Sequence, residues 1–195
     1  MDGILFRQPV VICLFLTGLT QFSLYRTTDA PHVNTALDSF DLAILAILQA
    51  DNLTPQREIA ERVHLSPAAV QRRIRRLQDS GVIAANAAVL DPEAVGLPLT
   101  IFISVQLVNE LDALTAQFRA RVAAEVAVQQ CYNVTGDTDY LLIVAAADMQ
   151  EYQAITRRLF DGDQNIRRFN TSIALGTLKR SLSLPLPGAA STGGA

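Results

Sequence analysis

The sequence has no tryptophan and contains two methionines, two histidines and two cysteines. Cys13 and Cys131 lie far apart and form no CxxC or Cys/His spacing, which argues against a zinc site and against a disulfide framework. His32 and His64 leave little for acid–base chemistry, so we predict no catalytic residue. We expect no metal and no cofactor, and a reducing cytoplasm as the location.

Long hydrophobic runs are also absent. The longest, over residues 9–19, has about eleven residues, whereas a membrane-spanning helix needs roughly 20. Asp2 and Arg7 precede this run, so it lacks the net positive charge that begins a secretory signal. We predict that residues 1–36 are an N-terminal extension that is disordered or reflects a start assigned too far upstream, and that the protein does not bind membranes.

Half of the residues are hydrophobic and 18% are charged, a composition that buries a core easily and suits two small domains in 195 residues. A strongly apolar helix is predicted after residue 37, with Asp38 and Asp41 near its start. Thr54-Pro55 and Ser66-Pro67 each place a capping side chain before a proline, the usual start of a helix. The second of these helices has one apolar stripe, formed by Val70, Ile74 and Leu77. Residues 54–81 therefore predict a helix-turn-helix.

The second helix carries the charge that suggests DNA. Between Ser66 and Ser80, four arginines stand against Asp79 alone, a local charge of +3, although the chain as a whole has a net charge of −3. Binding depends on the local field, so this cluster favours a nucleic-acid partner. We expect base contacts from the outward N-terminal positions, and phosphate contacts from the later arginines and from the starts of both helices. The predicted DNA-binding residues are Gln56, Arg57, Ser66, Ala68, Ala69, Gln71, Arg72, Arg73, Arg75 and Arg76.

The C-terminal half alternates strands and helices. Residues 82–90 are predicted as a strand, either a wing or an exit ribbon, which would complete a DNA-binding domain over 37–90. Residues 91–98 are a predicted linker, in which Asp91-Pro92 starts a short turn or helix. Further strands are predicted over 99–108, 126–135, 140–146 and 166–178. A helix is predicted over 111–122, with an apolar stripe formed by Leu111, Leu114, Phe118 and Val122, and another over 148–160, capped by Asp148. This β-α-β-β-α-β order is the ferredoxin-like arrangement, and we assign it to residues 99–181, followed by a disordered tail over 182–195.

These segments together resemble the leucine-responsive regulator/AsnC (Lrp/AsnC) family of bacterial and archaeal transcription factors. The stretches that carry the likeness are LDSFDLAILAILQADN, REIAERVHLSPAAVQRRIRRLQDSGVI and VTGDTDYLLIV. The resemblance implies an α+β fold, with an N-terminal winged helix-turn-helix followed by a ferredoxin-like βαββαβ regulatory domain. It also implies a sequence-specific regulator of transcription that binds double-stranded operator DNA and responds to an amino acid or related small metabolite. Such proteins form homodimers that assemble into tetramers or octamers.

The segment from Gly136 to Tyr140 is a turn between two predicted strands. Read from its residues alone, it is either an ordinary polar turn or a place where turn amides hold a carboxylate and an aspartate holds an ammonium group. An α-amino acid presents both charges. The resemblance implies that this loop and the last strand of a neighbouring subunit form the effector site. The residues predicted to bind the effector are Thr135, Gly136, Asp137, Thr138, Asp139, Tyr140 and Thr171.

Two other functions compete with this interpretation. Some tetrapyrrole (sirohaem-type) decarboxylases resemble the same two-domain architecture, but they need cationic groups and typically a histidine near a porphyrin pocket, and no histidine follows His64. A membrane-anchored or secreted binding module is suggested only by the apolar run over residues 9–19.

Overall fold

The computed structural model describes residues 36–109 and 111–187. Most of the predicted N-terminal extension, with its apolar run, lies outside the described residues, as does the end of the predicted tail from residue 188 onward. Within the described ranges, no helix is long and apolar enough to cross a membrane.

Three helices form the N-terminal unit: α1 (Ser39–Ala50), α2 (Gln56–Val63) and α3 (Pro67–Asp79). Ser66 caps α3 as predicted, because its hydroxyl accepts a hydrogen bond from the Ala69 amide at 3.2 Å. The predicted cap at Thr54 is wrong. Its hydroxyl instead donates to the Asp51 carbonyl at 2.8 Å, which closes the preceding turn, and Pro55 takes the N-cap position of α2 without a side-chain cap.

The start of α1 is held by two aspartates. The Asp38 carboxylate accepts from the Asp41 amide at 2.8 Å, and the Asp41 carboxylate accepts from the Asp38 amide at 3.2 Å. This reciprocal capping box satisfies two of the amides that a helix leaves without partners at its N-terminus.

A tight turn joins α2 to α3. His64 ends α2 in the left-handed conformation, with φ 54°, which a residue with a side chain adopts at a cost. This reversal lets both helices pack on α1 around a common core. Its buried members are Ile44, Ile59, Ala60, Val63 and Val70, and Ile74 packs against them half-buried, as the predicted stripes require.

The C-terminal unit has the predicted β-α-β-β-α-β order. Its strands are β1 (Leu99–Leu107), β2 (Val128–Asn133), β3 (Tyr140–Ala146) and β4 (Ile166–Ile173), and its helices are α4 (Asp112–Ala124) and α5 (Met149–Phe160). The strands form one antiparallel sheet in the order β2-β3-β1-β4, in which Val105 of β1 pairs with Tyr140 on one side and Phe169 on the other. The last strand ends earlier than predicted, because its final bond to β1 is donated by the Ala174 amide to Thr100, near the first residue of β1.

One face of this sheet packs under the two helices. Alternate residues of β1 and β3 are fully buried there together with Phe118 of α4 and Ile155 of α5. The predicted stripe on α4 is partly wrong. Phe118 and Val122 are buried, but Leu111 and Leu114 are 63% and 45% exposed, and Thr115 is buried instead. The side chains of α4 that face the sheet are those of residues 115, 118 and 122. This row of residues is shifted around the helix from the row of its largest apolar side chains.

The predicted strand over residues 82–90 is absent from the structure. The chain there has no regular secondary structure from residue 84 and is exposed, and no strand in the described part of the chain pairs with it. A strand forms only where a neighbouring strand accepts and donates its backbone bonds, so β-type sequence was not enough here. Residues 91–97 then make the predicted short turn, in which the Leu97 amide donates to Pro92 at 2.7 Å.

The first part of the predicted tail returns to the N-terminal unit. The Leu184 amide donates to the side-chain oxygen of Gln49 at 2.7 Å, and the Gln49 amide nitrogen donates back to the Leu184 carbonyl at 3.1 Å. These two bonds link a segment that follows the sheet to the C-terminal end of α1.

Candidate DNA-binding helix and effector loop

The outward face of α3 presents the side chains that the sequence predicts to contact bases, and one that it predicts to contact phosphates. Ala68, Gln71 and Arg72 of the first group are exposed, and Ala69 is half-buried on the flank toward α1; Arg75 of the second group is also exposed. Ser66 is exposed at the N-terminus of the helix, where its hydroxyl is already bound to the Ala69 amide. The small residues at the start of this face let the helix enter a major groove. The long cationic and amide side chains that follow them can then reach base edges.

The other two arginines of α3 are bound within the protein. The Asp41 side chain is only 1% exposed, and its carboxylate accepts a hydrogen bond from Arg73 Nη1 at 2.8 Å. Arg76 Nη2 donates to the second oxygen of the same carboxylate. Arg73 also donates to Asp38 at 2.8 Å. Four residues of α1 and α3 therefore form one ion-pair cluster, which we call the Asp41 cluster: Asp38, Asp41, Arg73 and Arg76.

The pKa values of two members of the Asp41 cluster, Asp38 and Arg73, are shifted toward their charged forms. The hydrogen bond from the Asp41 amide, aided by Arg73, holds the pKa of Asp38 below its ordinary value. The hydrogen bond to Asp41, with a second to Asp38, raises the pKa of Arg73 further. The Arg73 guanidinium also lies 5.4 Å from the centre of the Phe40 ring, within the range of a cation–π contact. Arg73 is thus held on the α1 side by two carboxylates and an aromatic ring.

The start of α2 offers a second set of donors. Gln56 and Arg57 are exposed in its first turn, where no side chain caps the free backbone amides. Such amides favour an anion such as a phosphate. Arg57 is paired with Glu61 at 3.3 Å, but both side chains are largely exposed, so this contact is weak and readily exchanged.

The loop between β2 and β3 is tied to the end of β1 by two of its predicted effector residues. The Asp139 carboxylate accepts from the Leu107 amide at 2.6 Å, and the Asp139 amide donates to the Val105 carbonyl at 2.9 Å. The Thr138 hydroxyl donates to the same Val105 carbonyl at 2.7 Å. These bonds fix the loop across the sheet end at the point where the β1–β4 register shifts.

The rest of the loop faces solvent. Thr135, Gly136 and Asp137 are exposed, and Gly136 has φ 123°, a conformation that side chains rarely adopt. No hydrogen bond or ion pair within the described chain holds the Asp137 carboxylate. Tyr140, in contrast, is buried, with its ring centre 5.0 Å from that of Phe118. The loop therefore combines a rigid base with an open, acidic tip.

Both units match known families. Residues 37–84 match the winged helix-turn-helix DNA-binding family, and residues 100–184 match the Lrp/AsnC ligand binding domain. An uncharacterized HTH-type transcriptional regulator of Sinorhizobium fredii, y4tD, is 38% identical over 150 residues, which cover 77% of this chain and 89% of that relative. The chain belongs to the Lrp/AsnC family of transcriptional regulators. Its helix-turn-helix is a DNA-binding unit.

Two further relatives have names that mention amino acids. The glutamate uptake regulatory protein of Zymomonas mobilis is 33% identical over 151 residues, with 77% of this chain and 92% of that relative covered. A transcriptional regulator of Neisseria meningitidis, solved as a complex with L-Met, has a TM-score of 0.69 and 34% identity, and the match covers 77% of this chain and 97% of that one.

In this Lrp/AsnC chain, Thr171 does not meet the loop. Thr171 pairs with Ile103 on the β4 side of β1, whereas Tyr140 pairs with Val105 on the β3 side. Two strand spacings, about 10 Å, separate the two sides. The Thr171 hydroxyl is instead 2.5 Å from the Tyr152 hydroxyl of α5. One chain by itself thus holds the predicted effector residues as two separate groups.

The face of the sheet opposite α4 and α5 is apolar and open in the single chain. Phe102 and Tyr132 are 37% and 50% exposed there. Phe102 is level with Ile143, and Tyr132 with Leu141, so the four side chains lie together on this face.

Sequence reasoning missed the role of Asp41. Its position was interpreted only as a favourable charge near a helix start, whereas the structure gives it two arginine partners on α3. The signal was available: an acid inside a strongly apolar helix must find charged partners if it is buried.

Cys131 is a half-buried small hydrophobe of β2. Burial raises its pKa to about 11, so the thiol stays protonated and unreactive at neutral pH. No group of three or more metal-ligating side chains occurs within the described residues.

Proposed function

We propose that this protein is a sequence-specific regulator that reads operator DNA with α3 and responds to an amino acid through the loop around Gly136–Tyr140. The observation that carries the DNA half is the exposed face with Ala68, Gln71 and Arg72 at the start of α3. Arg72 and Gln71 contact base edges, whereas Arg75, the exposed donors of Arg76 and the amides at the start of α2 contact phosphates. The regulator acts in the cytoplasm and has no catalytic role.

The DNA half is tested by fluorescence anisotropy with DNA from its own promoter region and with random DNA, across a salt series. We expect the promoter DNA to bind tighter than random DNA at physiological salt. Arg72→Ala should reduce the preference between the two DNAs, because a base contact carries sequence information. Arg75→Ala should weaken both DNAs about equally. Equal affinity of the wild type for both DNAs, with and without amino acids, would refute the proposal.

The effector half rests on the open tip of the loop. Asp137 can hold the ammonium group of an amino acid, and the turn amides around Gly136 can hold its carboxylate. Since Thr171 is too far away within one chain, we propose that a neighbouring subunit brings its β4 to the loop. L-Met, L-Leu and L-Glu are the first ligands to test, because relatives are named for or bound to such amino acids.

A thermal-shift series with these amino acids tests this half. A ligand present at 100 times its Kd adds about 2.7 kcal/mol of stability, a shift of several degrees. Asp137→Asn should remove the shift while the unliganded melting temperature stays near that of the wild type. A ligand-induced shift that persists in Asp137→Asn would contradict the assignment. Soret absorbance on addition of sirohaem would instead support the decarboxylase alternative.

We propose that the open sheet face forms a homodimer, which then assembles further into tetramers or octamers. Phe102 and Ile143 lie at its centre, and covering such apolar area with a second sheet removes it from water. Phe102→Glu should shift the protein toward monomer in analytical ultracentrifugation. Gln153→Glu, which places the same charge on the exposed surface of α5 on the other side of the sheet, controls for general charge effects.

A further inference from the structure

The Asp41 carboxylate occupies two arginines of the DNA-binding helix in the way that a phosphate would. It accepts from Arg73 with one oxygen and from Arg76 with the other, and its side chain is 1% exposed. Carboxylates and phosphates are the two groups that guanidinium forks bind most strongly. While Asp41 is ionised and in place, DNA must compete for these cations.

Arg73 and Arg76 differ in how far Asp41 keeps them from DNA. The Arg73 side chain is 25% exposed, is bound to both Asp41 and Asp38, and lies over the Phe40 ring. Arg76 is 48% exposed and, among the described residues, is bound only to Asp41, so its remaining donors still face solvent. Successive helix positions turn by about 100°, which places Arg73 well away from the outward line of Arg72 and Arg75.

We propose that Asp41 limits the affinity of α3 for the DNA backbone, because it keeps Arg73 entirely, and Arg76 in part, from the DNA phosphates. This inference rests on DNA binding by α3. Phosphate contacts strengthen binding to every sequence, whereas base contacts strengthen only the operator. By removing cations from the phosphate-binding set, Asp41 lowers the affinity for every DNA sequence, and the discrimination between sequences comes from Arg72 and its neighbours.

The expected size follows from counterion release. Each phosphate contact contributes about 0.9 to the slope of log K against log salt. Release of one or both arginines therefore steepens the slope by about 0.9 to 1.8 per DNA-bound chain. Between 50 and 200 mM salt, each added contact makes the affinity fall by roughly a further 3.5-fold.

Asp41→Asn tests this directly, with Asp51→Asn as its matched control. Asp51 lies at the other end of α1 and makes no ion pair in the described chain. Within the described residues, its carboxylate accepts only from the Leu53 amide at 2.9 Å, which an asparagine oxygen can still do. Both variants add the same charge to the same helix. Binding to promoter and to random DNA is measured by anisotropy from 50 to 300 mM salt, on fractions shown to be folded by circular dichroism.

We expect Asp41→Asn to bind both promoter and random DNA several-fold tighter at 50 mM salt, with a steeper slope for both and a ratio of promoter to random affinity near that of the wild type. Asp51→Asn should match the wild type in slope and ratio. An Asp41→Asn slope equal to that of the wild type would overturn the proposal and leave Asp41 a purely structural role.

A second pair of variants does not depend on the folding of Asp41→Asn. Arg75→Gln should lower the slope on random DNA by about 0.9, because Arg75 is exposed and meets a phosphate. Arg73→Gln should leave the slope unchanged. A loss of slope in Arg73→Gln equal to that in Arg75→Gln would refute the proposal. All these slopes are read on random DNA, so they test Asp41 even if the wild type shows no operator preference, a result that would refute only the regulator proposal.

Discussion

The two aspartates of the effector loop should respond differently to removal, and the larger effect is at Asp139. Its carboxylate accepts the Leu107 amide at 2.6 Å, and Leu107 itself is 5% exposed at the end of β1. A hydrogen bond to a charged group contributes about 1.5–3 kcal/mol, and the partner left behind costs its desolvation. Because the loop is partly open, water can replace some of this, so we expect Asp139→Ala to cost about 1.5–2 kcal/mol.

Guanidinium denaturation followed by circular dichroism measures this cost. The midpoint should fall while the m-value stays constant, because the surface exposed on unfolding is the same. At roughly 2–4 °C per kcal/mol for a chain of this size, the melting temperature should fall by about 3–8 °C. Asp139→Asn retains an oxygen acceptor and should lose less than Asp139→Ala.

Asp137→Ala is the matched control, because Asp137 lies two positions before Asp139 in the same loop and is exposed. It should change the free energy of unfolding by less than about 0.5 kcal/mol, as surface substitutions usually do. If Asp139→Ala were as mild as Asp137→Ala, the Leu107 hydrogen bond would not hold the loop, and our division of the loop into a rigid base and a ligand-binding tip would be wrong.

Three further predictions concern stability. His64→Gly should raise it by about 0.5–1 kcal/mol in thermal melts, because glycine adopts the positive φ at this helix end without strain, whereas His64→Ala should bring no such gain. Ser66→Ala should cost about 1 kcal/mol by loss of the cap on the Ala69 amide, and Ser66→Asp should retain most of it. Arg158, which donates to Glu125 at 2.7 Å, lowers the pKa of Glu125, so this pair stabilises the fold above the ordinary glutamate pKa and the contribution disappears as the pH falls through the lowered value. Glu125→Gln should therefore differ from the wild type in stability at pH 7, and the difference should shrink as the pH falls below the ordinary glutamate pKa; a difference that stays constant with falling pH would contradict this.

Much of the fold could be read from local patterns. Strand β3 was predicted at its observed bounds, and α5 with its cap at Asp148, because alternation and capping act between residues a few positions apart. The predictions that were wrong concern places where a residue or strand far away in the sequence determines the local structure. Residues 82–90 have the sequence of a strand but no strand beside them in the described chain, and α4 buries Thr115 rather than Leu114 because the sheet meets another line of the helix.

The candidate sites divide in the same way. The exposed positions of α3 followed from helical periodicity, so Arg72 and Arg75 were placed correctly on its outer face. Arg73 and Arg76 look the same in sequence, and only the approach of α1 shows that both are bound to Asp41. Likewise, nothing local indicates that Asp139 accepts from Leu107, more than 30 positions away.

The sequence by itself determined the order of the helices and of the four sheet strands, that a helix-turn-helix precedes a βαββαβ unit, and which family the chain belongs to. These depend on short-range periodicity, caps and motifs. Tertiary structure alone decided which charged groups remain available. Asp41 removes one arginine and part of another from the cationic face, and the sheet end takes Asp139 from the loop, because burial forces each polar group to find a partner that the chain brings from far away.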